Sequence, residues 1–433
     1  MIIVSLEKIY CMRWLICFLL VPFFSNAQLP DEIYHKNIRT VKLFSKNNQL
    51  SYPIISLGAI EQLELHFDDM DGYAKSYSYT FQLCDADWKP NPYLGPFDFI
   101  KGFSQQRLNQ YRVSSIATEE YVHYQAAIPD KNCMPSKSGN YILKVFLNGD
   151  TSKLAFTKRM LVVDQRADIG AQIQQPFSAQ FFKTHQKVQL VVNKSKLDIL
   201  NPQQQVKTVI LQNFRWDNTV RTIQPTFIKQ YTLEYNTEND ALFPGGKEFR
   251  WIDLRSFRFK SDRIDSNDLT QKPFYIVAVP DAERTTQRYL FFRDLNGFYE
   301  ITTTDLINPW WQGDYAKVKF TFVPTNNQPY PSKEVFIAGE FTGYKIDNTS
   351  KMEYNATLGV YEKELILKQG YYSYTYVTKD VNSNVPTVEQ TDGNYWETEN
   401  DYTILVYYRS LSGRHDELVG YTTVNSRMNR TGL

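Results

Sequence analysis

Apolar and polar residues alternate along most of this chain. Leu63-Glu64-Leu65-His66-Phe67 sets Leu63, Leu65 and Phe67 on one face and Glu64 and His66 on the other. Val318-Lys319-Phe320-Thr321-Phe322 alternates in the same way, and Tyr372-Ser373-Tyr374-Thr375-Tyr376 repeats the pattern. The apolar runs Val206–Leu211 and Ile404–Tyr408 predict further strands. Helical periodicity is scarce, and its best window is Asp281–Tyr289. The pattern predicts an all-β chain.

Turn residues break the strands at short intervals, as β-sandwiches require. Two places predict a tyrosine corner, in which a Tyr near a strand start turns its hydroxyl back to the preceding backbone. They are Ser138-Gly139-Asn140-Tyr141 and Gln369-Gly370-Tyr371-Tyr372. Polar residues follow the strand pattern Leu161–Asp164, and Asp305–Gly313 carries Pro309 between two strand patterns. These breaks predict three immunoglobulin-like sandwiches in series, over 28–164, 165–306 and 307–433. The middle one is expected around Val188–Val192, Val206–Leu211 and Phe274–Val279.

A length of 433 residues agrees with about three domains. Tyr and Phe, 30 and 28 in number, supply the large rings that half-buried pleated surfaces favour. The 48 basic residues face 47 acidic ones, so no basic face points to nucleic acid. The run Trp14–Phe24 follows Arg13 and ends at Ser25-Asn26-Ala27, which reads as a signal peptide over 1–27 cleaved between Ala27 and Gln28. The run is too short to span a bilayer, so no direct membrane insertion is expected. Removal of the leader leaves Cys84 and Cys133, either as one disulfide or as two buried thiols.

Patterns that carry chemistry are missing. None of His35, His66, His123, His185 and His415 is spaced i,i+4, no Cys-x-x-Cys occurs, and no Gly-x-Ser-x-Gly is present. Gly245-Gly246-Lys247 lacks the earlier Gly and the following Ser/Thr of a phosphate loop. Asp68-Asp69-Met70-Asp71-Gly72 has Phe67 at the first ligand position of a calcium loop, so a hairpin turn is the better reading. Asp85 and Asp87 flank Ala86 where a strand ends, as turn residues do. No catalytic residue, metal or cofactor is therefore expected. Trp310 and Trp311, beside Pro309 in a predicted inter-domain segment, are the candidate anchors for a partner. Rings on sandwiches also stack on sugars, so a secreted or periplasmic carbohydrate-binding protein is the alternative.

Several motifs resemble one family. They include Cys84-Asp85-Ala86-Asp87-Trp88, Leu211-Gln212-Asn213, Arg215-Trp216-Asp217-Asn218, Phe243–Arg250 (FPGGKEFR), Leu367–Tyr372, Glu397–Tyr402 (ETENDY) and Val419–Thr423. In this order they resemble the plug proteins of the type 9 secretion system of Bacteroidota, from about Val41 to Ser426. The resemblance implies a non-enzymatic periplasmic protein at the periplasmic face of the outer membrane. Its partner would be the large outer-membrane β-barrel translocon, whose periplasmic mouth it seals when no cargo passes. Val335–Tyr344 (VFIAGEFTGY) with Gly359-Val360-Tyr361-Glu362 is similar to glycogen-binding early-set sandwiches, with Tyr344 where a Trp is common. This likeness supports an early-set-like third sandwich.

Overall fold

The computed structural model describes residues 30–221, 223–383 and 385–429. The leader, with its junction at Ala27 and Gln28, lies outside the described residues. Strands dominate, and the three α-helices among the described residues, Pro96–Phe99, Pro202–Gln205 and Pro309–Gln312, have 4 residues each.

Among the described residues the three largest hydrophobic cores each lie between two sheets. In the first, the strands Ile38–Ser45, Leu63–Asp69, Val122–Ile128 and Gln110–Val113 make one sheet in that order. It faces the sheet Ile54–Ser56, Leu154–Val163, Gly139–Leu147, Tyr77–Cys84 and Gln106–Arg107. Leu63, Leu65 and Phe67 all enter this core, as their alternation predicts.

Strand pairing does not follow the expected series of domains. Val206–Gln212 pairs antiparallel with Asp401–Tyr408, so Val209 opposes Leu405. Phe274–Ala278 pairs parallel with Tyr315–Val323. Both pairings cross the expected border at 306/307. The middle core therefore combines Ala167–Phe243 with Tyr402–Val424, and the third core, from Ile252 to Tyr376, is inserted within it. Ile404–Tyr408, expected in the last sandwich, completes the middle one, and Phe274–Val279, expected in the middle, builds the third. The physical reason is that each apolar run is satisfied by any edge that covers both its faces. The run itself carries no mark of which edge that is. Asp281–Tyr289 is not a helix: Asp281–Ala282 is a short strand and a loop follows.

The nested order needs two chain crossings side by side, and the motifs of the sequence resemblance meet there. Asn400 donates from Nδ2 to Gly245 O at 2.9 Å and accepts from Asn213 Nδ2 at 2.8 Å. Gln212 Nε2 donates to Pro244 O at 2.8 Å, and Thr398 Oγ1 to Gly246 O at 2.8 Å. A Cβ on Gly245 would lie 2.1 Å from Tyr395 O, so only glycine allows the crossings to approach this closely.

Both tyrosine corners form. Tyr141 donates to Lys137 O at 2.9 Å and Tyr372 to Lys368 O at 2.6 Å. Tyr372, Tyr374 and Tyr376 are buried as expected, and so are Ser373 and Thr375 between them. Thr375 is covered because its hydroxyl reaches the buried carboxylate of Asp392 at 2.7 Å. That carboxylate is shared by Arg250 at 2.6 Å and Arg284 at 2.9 Å.

Candidate functional site

The outer face of strand Leu63–Asp69 is polar, yet it is buried. His66 and Asp68 alternate away from the first core and end beneath the third sandwich, 6% and 0% exposed. Register sets Asp68 opposite His123 on the neighbouring strand. His123 Nδ1 contacts Asp68 Oδ1 at 2.7 Å, and His66 Nδ1 contacts His123 Nε2 at 3.0 Å. Tyr315 donates to Asp68 Oδ2 at 2.6 Å, and the Lys368 ammonium, also fully buried, donates to the same oxygen. Lys368 Nζ further donates to Trp310 O and lies 4.1 Å above the Tyr121 ring.

The protonation states follow from these surroundings. Burial alone would raise the Asp68 carboxyl, but Lys368 and His123 hold it below the usual carboxylate range. Burial lowers Lys368 despite Asp68, and it lowers His123 as well. His66 is pushed down to about 3 by burial and by His123. Both imidazoles are thus neutral at pH 7. His123 donates its Nδ1–H to Asp68, so its Nε2 must accept from His66 Nδ1–H. His66 Nε2 is left as a lone pair, with Glu64 Oε2 at 3.9 Å. A histidine held near 3 is a poor general base at neutral pH.

A second buried link joins the same two sandwiches. Lys42 Nζ donates to Glu340 Oε2 at 2.7 Å and to Tyr299 O at 2.8 Å. Gln49 pairs like a strand with Ile301, donating at 2.9 Å and accepting at 2.8 Å. The first and middle sandwiches share an apolar layer of their own, including Cys84, Ile142, Val209, Leu405 and Leu418.

Trp310 and Trp311 sit at this junction in different ways. Trp310 stacks on His66 with ring centroids 4.0 Å apart and packs against the third core, so it is an inter-sandwich contact. Trp311 is half-buried under Arg112, whose guanidinium lies 4.5 Å from its ring. Tyr344 is half-buried, lies under Arg215 at 4.7 Å, and has its hydroxyl enclosed. Each of the three rings is half-buried against other side chains of the protein, whereas a sugar-stacking surface needs open rings.

The two cysteines remain free buried thiols, so the disulfide alternative is not what the structure contains. Cys133 belongs to the first core and Cys84 to the layer between the first and middle sandwiches, so their side chains serve different clusters. Burial pushes both thiols up to about 12. Asp85 accepts from the backbone of Asp87 and Lys89 at 2.9 Å each, a turn as expected. The Asp69–Gly72 turn is held by Lys75, 2.8 Å from Asp69. Lys247 donates to the carbonyls of Arg284 and Gln287 at 3.0 Å each.

The meeting of His66 with His123 and of Asp68 with Lys368 was not foreseen from sequence. His66 and His123 lie 57 residues apart and no local spacing relates them. The only signal was a polar residue at every second position of a strand that also carries an acid.

Among the described residues no hydroxyl or thiol is bonded to the paired histidines, and the sheets of this all-β protein meet through buried charges between the first and third cores and an apolar layer between the first and middle ones. Residues 38–164 match the family model for the first domain of the type 9 secretion system plug protein. The likeness to the type 9 secretion system plug family lies in the first sandwich. A crystal structure of a hypothetical protein from Parabacteroides merdae is similar, with 29% identity and a TM-score of 0.87. That likeness covers 92% of this chain and 99% of the other. No curated protein matches the chain. No helix among the described residues is long and apolar enough to cross a membrane.

Proposed function

We propose that this protein is a non-enzymatic periplasmic plug, which seals the periplasmic mouth of the type 9 outer-membrane translocon barrel when no cargo passes. The observation that carries the reading is the match of residues 38–164 to the plug family's first domain. The joints between sandwiches support it. A seal must keep its shape against a pore, and the Asp68–Lys368 and Lys42–Glu340 links tie the first sandwich to the third at two separate points. A seal that also leaves calls for an interface of standard size, on the order of 1,200–2,000 Å² in total. Its interface must rely on local anchors, because a net charge of +1 on the full chain provides little long-range steering.

The test is a tagged pull-down from detergent-solubilised outer membrane. The reading expects a very large barrel protein to co-purify with the tagged chain. Recovery of the tagged protein alone, under conditions that preserve the barrel, would refute it.

A further inference from the structure

One sheet of the first sandwich ends in an exposed edge strand. Gln110–Val113 closes its sheet on one side only, pairing with Val122–Ile128, and all four of its residues are exposed. Such edges are usually blunted by proline, a bulge or a covering segment, because their free backbone groups accept another strand. This strand is uncovered. Its two faces also differ. Tyr111 contacts the core residue Tyr124 at 5.6 Å, so Tyr111 and Val113 share the apolar rim, 53% and 51% exposed. Gln110 and Arg112 take the opposite face by strand alternation. There Arg112 stacks on Trp311, beside a cavity of about 410 Å³ that Gln110, His66, Trp310 and Trp311 line. Among the described residues, no carboxylate lies within ion-pairing distance of Arg112, nor of the exposed Lys46 that lines the same cavity with Glu64. Just beyond the strand, Ser115 N already donates to Trp311 O at 2.9 Å, so the two segments form one surface.

We propose that the Gln110–Val113 edge with Trp311 is a docking surface for an extended, carboxylate-bearing segment of the translocon barrel, which adds to the sheet as one more strand. The inference rests on the plug reading above and names the surface that serves it. Backbone pairing along the edge supplies the general attraction, and alternate side chains supply the choice of partner. One face of the incoming strand meets Tyr111 and Val113 and must be apolar. The other meets Arg112, which has no carboxylate of its own, and must be acidic.

The experiment uses the full chain in cells that make the barrel. A photoreactive phenylalanine analogue replaces Tyr111 in one version and Phe227 in another, since Phe227 sits on an exposed edge strand of the middle sandwich. A covalent adduct with the barrel from position 111 and none from 227 is expected. In parallel, Arg112→Glu should lower barrel recovery by about tenfold or more while leaving the melting temperature of the purified protein unchanged. Adducts from 227 alone, with full recovery by Arg112→Glu, would overturn this surface and leave the plug reading standing. Absence of the barrel from pull-downs of the unaltered protein, with no adduct at either position, would overturn both.

Discussion

Lys368 in the third sandwich places its ammonium against the carboxylate of Asp68 in the first, 300 residues away in sequence, with both side chains fully buried. Two charges withdrawn from water must compensate each other, and the hydroxyl of Tyr315 and His123 satisfy the remaining lone pairs. The pair makes the orientation of the two sandwiches a condition of folding.

Removing one partner strands the other. Lys368→Met should destabilise the protein by about 3–5 kcal/mol, because Asp68 stays buried without its cation. Adding Asp68→Asn should recover part of that loss. Chemical denaturation of the two single variants and the double variant measures the coupling. Losses that simply add would contradict a direct link.

The neutral histidines give stability a pH dependence of known sign. His66 and His123 have folded pKa values below the ordinary 6.5. The unfolded chain therefore binds more protons below pH 6.5, and their contribution is full above that pH and is lost as pH falls. For His66 the loss continues to about pH 3, where it titrates in the fold. Each site removes about 1.4 kcal/mol per pH unit while only the unfolded form is protonated. Nitrogen-detected NMR of the imidazoles should find His66 still neutral at pH 5 and His123 titrating below the ordinary 6.5. A midpoint near 6.5 for either ring would contradict the burial argument.

Much of the fold was legible in the sequence because period two is a property of the strand itself. Leu63, Leu65 and Phe67 had to share a face, and a Gly-Asn-Tyr or Gly-Tyr-Tyr at a strand start had to find a carbonyl, which Tyr141 and Tyr372 do. Alternation says which side chains leave the core but not what covers them. His66 and Asp68 read as solvent-facing until another sandwich lies over them. The order of strands was hidden for the same reason. Val206–Gln212 would be satisfied by several apolar edges, and it chose one almost 200 residues later, its Gln212 amide reaching Tyr402 across 190 positions. Trp310 and Trp311 were expected beside a border between the middle and third sandwiches; they lie where the first meets the third, and the two sequence neighbours have different surroundings.

The nested topology predicts which pieces can fold. A chain ending at residue 306 lacks Asp401–Tyr408 and Glu417–Asn425, half of the sheet that contains Val206–Gln212. It should lose the middle core, expose its apolar strands and bind a hydrophobic dye. Residues 30–164 keep every strand of the first sandwich. Dye binding by the 306-residue chain at the level of the full protein would contradict the inserted arrangement.

The two tryptophans should separate stability from binding. Trp310→Ala removes a ring stacked on His66 and packed on the third core, and should cost about 3 kcal/mol. Trp311→Ala takes away only the platform under Arg112, and should change stability by less than about 0.5 kcal/mol. Calorimetry together with barrel pull-downs distinguishes them: the first variant loses melting temperature, the second loses barrel. The reverse assignment would contradict the geometry of the junction.

The central claim is that this protein closes a pore, and permeability measures that directly. Deleting the gene in a strain that keeps the translocon barrel should let in large antibiotics that the outer membrane normally excludes. Deleting the barrel as well should restore the barrier, because no pore is left to close. A single deletion strain as tight as its parent, with the barrel present in normal amount, would contradict the account.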